Sequence, residues 1–540
     1  MINSFKTDTF FRRFCGEKSV VLLITAAISV IFGCAWMLTP YLAKGSAERL
    51  NWSRLPGGIL LFWGVFAALV LVVLLARKVR CKHELSAGGE RFFAVVFFVA
   101  NLLTGLLFLA VFYPGTGNYD TLAIMRNEFF MARQHPTMYI AFVCALKAIV
   151  FTLGGRYEEL FLANSLLTIL LTSWVYVEML CFLKRTGVPF WVRLLIALFY
   201  TLCPIFNLYK VTFLKDVPFS LLLMLWVPVL YDTWATGGGN LKKPSVWIKV
   251  CLYLVLSLMR GNGLYVSVFV LACMLLVARK MWKQILVYTL VLVMATSGIG
   301  VVEDFLEVRH LFKETVGVPL QQMAAVVCTD GELTEAQAEF IAQVLPLEFI
   351  REKYDPYNSV PLKWGGSPID DDFLYEHKAD FLKVWAELLV PNFRTYVKSY
   401  LQSTYGFWSL GEALGSYRYT ALYEKAYDEW ITRNEIDMKT VLPADLQMTL
   451  ESLGNQWIQV PGEGVCFWAM ILLVLVLMYF TDWKMFLVSA PMLAGVLTVF
   501  ISTPIAYSWR YILFIPLFIP VVVGLLLKQD DPATAPTEEE

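Results

Sequence analysis

The chain has 540 residues, of which 58% are hydrophobic and only 16% are charged, and its mean hydropathy is +0.61. This composition excludes an ordinary soluble globular protein. The formal net charge is zero, so the sequence gives no indication of a nucleic-acid partner. The 10 cysteines are mostly scattered through apolar stretches without a CxxC pair, which is typical of packing residues.

Apolar runs recur along the chain, and runs of about 18–25 residues are typical of a polytopic helical membrane protein. The thirteen candidates are residues 19–43, 57–76, 92–112, 136–153, 158–183, 188–209, 217–235, 246–259, 264–278, 284–302, 463–481, 485–502 and 510–527. The first run has no small-residue cleavage site at a suitable distance, so we interpret it as a span rather than a signal peptide.

The distribution of lysine and arginine indicates which runs cross the membrane. Basic residues in the amino-terminal segment and in residues 77–91 place both on the cytoplasmic side, and hence the loop after the third run outside. If 136–153 crosses, the later basic clusters at 184–185, 242–243 and 279–283 fall outside, whereas an interfacial 136–153 places all of them inside. We therefore predict twelve spans, cytoplasmic termini and an interfacial helix over 136–153.

The runs 246–259 and 264–278 are short for a hydrocarbon core of about 30 Å. They are either shortened helices that meet at an outward-facing cavity or one long span, and the second alternative reverses everything that follows. The predicted fold class is an all-α polytopic membrane protein with a mainly α extracytoplasmic domain before the last three spans. The predicted regions are accessory spans 1–91, a transmembrane core 92–302 with outer loop 113–157, the extracytoplasmic domain 303–462, the last spans 463–527 and a disordered cytoplasmic tail 528–540.

Asp120 ends the Gly-rich segment YPGTGNYD, directly after the third apolar run. A carboxylate at this membrane surface is a candidate general base, or a group that orients an acceptor nucleophile. The alternative is a solvated loop acid that caps a following helix. His135, at the start of the interfacial helix, could hydrogen-bond a phosphate or an acceptor, or could simply be a polar helix entry before Pro136.

Further candidate binding residues fall at the same predicted face. Lys215 and Asp216 suit a phosphate clamp with a sugar or acceptor contact, or an interface-anchoring charge pair. Arg260 and Asn262, in RGNG, are functional candidates because an ionisable residue at membrane depth is costly, although an ordinary outer hairpin is the alternative.

Three more candidates come from the later chain. Arg510 and Tyr507, in IAYSWRY, could bind a substrate at the mouth of a span, but aromatic residues also form interface belts. Gln321 and Gln322, in VPLQQ, could bind sugar hydroxyls or cap a helix. No zinc or other metal motif is present. Asp120 and Asp216 could hold a divalent ion, but their spacing in the sequence does not support such a site.

The ordered set YPGTGNYD, HPTMYIAFVCALKAI, FLKDVPFS, RGNG, VPLQQ and TPIAYSWRY resembles class C (GT-C) membrane glycosyltransferases, in a poorly characterised bacterial branch. The resemblance covers roughly 92–527 and leaves residues 1–91 outside it. It implies that 92–302 is a GT-C-like catalytic core in a bacterial plasma membrane. This sequence lacks the paired acids that some relatives place in the Asp120 loop, and Glu128 is the nearest other acid.

The resemblance implies transfer of a sugar from a polyprenyl-phosphate-linked donor to a glycan, lipid or protein acceptor of the envelope, on the extracytoplasmic face. Asp120 would be the catalytic base or acceptor-orienting acid. Cations such as Lys215, Arg260 and Arg510 would stabilise the lipid phosphate leaving group. The main alternative is a transporter or flippase for a lipid-linked or amphipathic substrate, and a second is a non-catalytic envelope assembly protein.

Overall fold

The computed structural model describes residues 2–79, 85–117, 120–121, 124, 132–133, 135–411, 443–459, 462–502, 505–506 and 508–529. Their regular structure is helical apart from one parallel pairing of two-residue strands, β1 (Ala132–Arg133) with β2 (Arg309–His310). The chain is therefore an all-α protein in its architecture. The predicted tail 528–540 lies outside the described residues from residue 530 onward, as does Glu128.

Eleven helices of the described ranges begin before the polar segment, residues 303–462, in keeping with the apolar runs of the sequence. They are α1 (Ile2–Leu42), α2 (Arg54–Lys78), α3 (Ala87–Val111), α4 (Thr137–Thr152), α5 (Tyr157–Arg185), α6 (Phe190–Leu202), α7 (Pro204–Lys210), α8 (Asp216–Ala235), α9 (Pro244–Ser257), α10 (Gly263–Val277) and α11 (Trp282–Phe305).

The remaining described helices belong to the polar segment and to the carboxyl-terminal apolar part. They are α12 (Gly317–Cys328), α13 (Glu335–Val344), α14 (Leu347–Lys353), α15 (Val360–Lys363), α16 (Asp371–Glu376), α17 (Lys378–Leu389), α18 (Phe393–Ser403), α19 (Tyr405–Trp408), α20 (Ala444–Gln459), α21 (Gly462–Phe480), α22 (Ala490–Ile501), α23 (Trp509–Ile512) and α24 (Phe514–Leu526). Short 3-10 helices occupy Gly239–Lys242, Arg279–Met281, Phe312–Glu314 and Trp483–Ser489.

Within these described ranges, nine helical segments are long and apolar enough to cross a membrane. They are Gly16–Leu42, Arg54–Lys78, Ala87–Val111, Tyr157–Arg185, Asp216–Ala235, Arg279–Phe305, Gly462–Phe480, Trp483–Ile501 and Trp509–Leu526. The protein is thus a multi-pass membrane protein, and the count of twelve spans stays a prediction.

Two departures from straight spans account for the difference in count. The pair α6 and α7 passes the same test jointly but bends by 58° at the break. Pro204 begins α7, where a proline is tolerated because the first helical N–H has no partner within the helix. The helices α9 and α10 have only 14 and 15 residues and form a hairpin instead of a single rod.

Gly263 is needed at the base of that hairpin. A Cβ atom at this position would collide with the backbone carbonyl oxygen of Ser257, so a larger residue would force the two helices apart. The hydroxyls of Ser257 and Ser267 also meet at 2.7 Å and tie the two helices together. The turn between them carries Arg260 and Asn262.

The polar segment has its own hydrophobic core, which includes Leu320, Leu362 and Phe381. It lies at the end of the bundle where α1 and α22 finish. The Tyr357 hydroxyl donates to the carbonyl of Leu42 over 2.6 Å, and the N–H of Ala506 donates to the carbonyl of Tyr357 over 2.8 Å. The loop after α3 reaches the same end, where β1 pairs with β2.

Candidate functional site

The loop that carries Asp120 is fixed to the connection between α7 and α8. The N–H of Thr116 donates to the carbonyl of Val211 over 2.8 Å, and the N–H of Phe213 donates to the carbonyl of Thr116 over 2.7 Å. Gly115 allows this approach, since its φ is +128° and a Cβ atom would collide with the Ser165 hydroxyl. This backbone pairing brings Asp120 next to Lys215.

One oxygen of Asp120 is shared by two cations. Lys215 Nζ lies 3.2 Å from Asp120 Oδ2, and Arg510 Nη1 lies 2.8 Å from the same atom. Oδ1 makes no hydrogen bond with any described residue, and one fifth of the Asp120 side chain remains exposed. The carboxylate is therefore held on one side and open on the other.

His135 is the fourth member of this cluster. The Lys215 ammonium group donates to His135 Nδ1 over 2.7 Å, which places the ring proton of a neutral imidazole on Nε2. Burial and the Lys215 charge lower the pKa of His135 to about 3, against the opposing charge of Asp120. His135 is therefore neutral at physiological pH and orients Lys215 toward Asp120.

The pKa of Asp120 lies far below its usual range. Burial acts to raise it, but the charges of Arg510 and then Lys215 outweigh burial. An ionised carboxylate with so low a pKa is a weak proton acceptor. It becomes a stronger one when another anion draws the two cations away from it, because the Coulomb terms that depress its pKa are then reduced.

A second ion pair lies beside the first. Arg260 Nη2 is 2.9 Å from Asp216 Oδ1, and both side chains are buried. The two groups are close but are not aligned for a hydrogen bond. Both Asp216 oxygens and Arg260 Nη1 lack a hydrogen-bond partner among the described residues. Buried groups of this kind are costly to leave unsatisfied, which is a feature of binding sites.

Tyr511 joins the two ion pairs. Its hydroxyl accepts a hydrogen bond from Arg510 Nη2 over 3.0 Å, and the Arg260 guanidinium lies 5.7 Å from the centre of its ring. Tyr139, one helical turn after His135, is buried, and the charges of Asp216 and Asp120 both act on its hydroxyl. The sequence analysis did not select Tyr139 or Tyr511 as candidates, although Tyr139 lies close to His135 in the chain and Tyr511 directly follows Arg510.

The two pairs give the site an excess of positive charge. Lys215, Arg260 and Arg510 are cations, Asp120 and Asp216 are their counterions, and neutral His135 adds nothing. One positive charge therefore remains uncompensated in a largely buried place. Such a site favours an anionic ligand, and a phosphate group is well matched by the guanidinium of Arg510.

The other predicted residues lie elsewhere or contribute differently. Asn262 Nδ2 donates to the Thr498 hydroxyl over 2.6 Å and fixes the α9–α10 turn to α22. Gln321 Nε2 donates to the carbonyl of Asp355 over 2.6 Å, in the polar segment. Tyr507 lies outside the described residues.

Gln322 is a packing residue of the polar segment. Its amide donates to the carbonyl of Tyr396 over 3.2 Å and accepts from the Trp385 indole over 2.8 Å. Both ends of the side chain are thereby satisfied, and within the described residues Gln322 makes no hydrogen bond to the Asp120 cluster. Its location inside this helical packing could not be read from the pair of glutamines alone.

A divalent metal ion fits the cluster poorly. The described part of the chain contains no group of three or more His, Cys, Asp or Glu residues that could hold one. Asp120 and Asp216 each face a cationic side chain at 3.2 Å or less. A metal ion would have to displace these cations and would meet their repulsion.

Comparison with known proteins places the chain in a family without assigning an activity. No curated protein and no solved structure matches it. A family profile matches residues 123–539, a region that begins three residues after Asp120 and contains the other members of the cluster. The chain belongs to this family, which is described as a family of unknown function (DUF6020).

Proposed function

We propose that the protein is a membrane glycosyltransferase of the GT-C type, which moves a sugar from a polyprenyl-phosphate-linked donor to a glycan, lipid or protein acceptor of the envelope. The observation that carries the proposal is the geometry of Asp120, whose Oδ2 is held by Lys215 and Arg510 while Oδ1 stays open. Two cations and an available carboxylate oxygen then lie at the same side chain. This arrangement suits a displacement reaction in which a phosphate is the leaving group.

In the proposed reaction, the bond between the anomeric carbon and the phosphate oxygen breaks, and a new bond forms between that carbon and an acceptor hydroxyl oxygen. The developing phosphate charge is stabilised by Lys215 and Arg510. The hydroxyl proton passes to Asp120, whose pKa rises as the phosphate competes for its cations. Stabilisation of the leaving phosphate and proton transfer to Asp120 thus both depend on Lys215 and Arg510.

The finer topology belongs to the same proposal. We place the Asp120 cluster and residues 303–462 on the extracytoplasmic side of a bacterial plasma membrane, with twelve spans and both termini in the cytoplasm. The helix α4 lies in the outer interface, where the apolar tail of the donor can stay in the bilayer while its headgroup reaches Asp120.

The test is donor turnover by purified protein in detergent. Polyprenyl-phosphate sugars are supplied with an envelope extract as acceptor, and release of the free lipid phosphate is followed for wild type and Asp120→Asn. We expect release by wild type alone. Equal release by both would remove Asp120 from the mechanism, and no release by either over a broad donor panel would favour the transporter.

A further inference from the structure

A cavity of about 260 Å³ lies at the end of α3 remote from Asp120. It is lined by residues of α3, α5 and the start of α6. Since α3 has 25 residues, its two ends are about 37 Å apart, so this cavity is separate from the candidate site. Its walls carry apolar residues, among them Phe93, Phe97 and Leu180.

The polar side of the cavity is built on a buried ion pair. Arg193 donates to both oxygens of Glu90 over 2.7 Å in a bidentate arrangement, and both side chains are more than nine-tenths buried. Such a pair compensates its own charges and fixes the guanidinium in place. It also joins α3 to α6.

Two further cations line the cavity without a carboxylate of their own. Lys184 Nζ is 3.7 Å from Glu90, which already binds Arg193, and 42% of the Lys184 side chain is exposed. Arg91 is exposed and forms no ion pair with any described residue. The cavity therefore contains three cations and one carboxylate, an excess of two positive charges.

Exposed apolar side chains continue from the cavity along α3 and α5. Phe92 and Val95 on α3 are 72% and 61% exposed, and Trp174 on α5 is 47% exposed. In a multi-pass membrane protein, such side chains face lipid. The cations thus lie at the end of a lipid-facing groove, where acyl chains and a charged headgroup can be bound together.

We propose that this cavity is a binding site for the headgroup of an anionic glycerophospholipid, with Arg91 and Lys184 contacting the phosphate and the acyl chains lying along α3 and α5. The site is independent of the proposed transferase activity. It would bind a structural lipid at the membrane face opposite the Asp120 cluster.

The first test counts lipids that stay bound. Protein is released from nanodiscs that contain equal amounts of phosphatidylglycerol and phosphatidylcholine, and retained lipids are identified by native mass spectrometry. We expect wild type to retain phosphatidylglycerol. Retention by Arg91→Gln/Lys184→Gln should fall roughly 30-fold, since each of the two cations near the surface contributes about fivefold.

The matched control is Lys242→Gln/Lys243→Gln, which removes two exposed cations from the connection between α8 and α9. This variant should retain phosphatidylglycerol like wild type. Equal retention by all three proteins would overturn the proposal. Equal loss in both variants would overturn it as well, because it would assign the lipid to general surface charge.

A second test needs no substitution at the site. Cys181 is exposed and lines the cavity, so its reaction with N-ethylmaleimide, measured on the peptide by mass spectrometry, reports access. The reaction should be several-fold slower for protein reconstituted in phosphatidylglycerol vesicles than for protein in phosphatidylcholine vesicles. Unchanged labelling would overturn the proposal, and equal slowing by soluble glycerol phosphate would replace the lipid by a free phosphate ligand.

Discussion

Asp120 and Arg510 stand 390 residues apart in the chain, yet Arg510 Nη1 lies 2.8 Å from Asp120 Oδ2. The same oxygen also contacts Lys215. Three distant segments, the loop after α3, the start of α8 and the start of α23, thus converge on one atom. Any change of charge at this atom alters the field that a bound anion experiences.

Asp120→Asn should separate binding from turnover. The substitution raises the net charge of the cluster by one unit, so an anionic donor should bind as tightly as to wild type or more tightly. Transfer should fall by about 10²–10⁴-fold, the range for loss of a general base. Donor affinity is measured by equilibrium binding beside turnover. Weakened binding would show that Asp120 contacts the donor directly and attractively.

Arg510→Lys should impair the site although it keeps the charge. Arg510 bridges Asp120 and the Tyr511 hydroxyl with two different nitrogens, and a lysine cannot reproduce that fork. We expect at least about a tenfold loss in kcat/KM for the donor, equivalent to about 1.4 kcal/mol. Tyr511→Phe, which removes only the second contact, is the matched control and should lose less. An equal loss in both would assign the effect to Tyr511.

The buried pair of Asp216 and Arg260 should respond asymmetrically to single and double changes. Asp216→Asn or Arg260→Met alone leaves an uncompensated buried charge, with an expected loss of about 3–5 kcal/mol in the free energy of unfolding. Asp216→Leu with Arg260→Met should recover most of that loss. Thermal unfolding in detergent measures all three. A double variant less stable than both single variants would contradict the ion-pair assignment.

His135 predicts a pH dependence of stability. Its pKa is about 3 in the folded protein and about 6.5 in an unfolded chain, so the unfolded state binds more protons between these values. The contribution of neutral His135 is present above pH 6.5 and is lost as the pH falls toward 3. The Tm of wild type should therefore drop between pH 7 and pH 4.

His135→Gln should show a smaller drop over the same range, because a glutamine binds no proton. The control is His377→Gln in the polar segment, where the residue is partly exposed and stacks on Phe373. That variant should keep the wild-type drop. A drop unchanged by His135→Gln would mean that His135 is protonated freely in the folded protein.

Gln322→Ala tests the assignment of this residue to packing. The change removes the partner of the Trp385 indole and of the Tyr396 carbonyl, so the free energy of unfolding should fall by about 1–3 kcal/mol. Donor turnover per folded molecule should stay within a factor of about two of wild type, because in the described part of the chain no hydrogen bond joins Gln322 to the cluster. A loss of turnover without loss of stability would restore it to the site.

From the basic loop residues, the sequence predicted that distant polar residues lie together at one membrane face, and the side of the membrane stays a prediction. Asp120, His135, Lys215 and Arg510 are in contact in the structure. The pairing of Thr116 with Val211 and Phe213 was missed, because backbone contacts between loops leave no periodic pattern. The location of Gln321 and Gln322 in the packing of the polar segment was missed for a related reason, because it depends on how α12 packs against α17 and α18.

The long separation between Asp120 and Arg510 has a consequence for biosynthesis. Asp120 leaves the ribosome early, whereas Arg510 follows it after 390 further residues, which takes about 20–80 s at usual elongation rates. Until the last spans insert, the nascent protein lacks Arg510, so the cluster is incomplete. On the proposed mechanism, a partly synthesised chain therefore gains transferase activity only when its last spans insert.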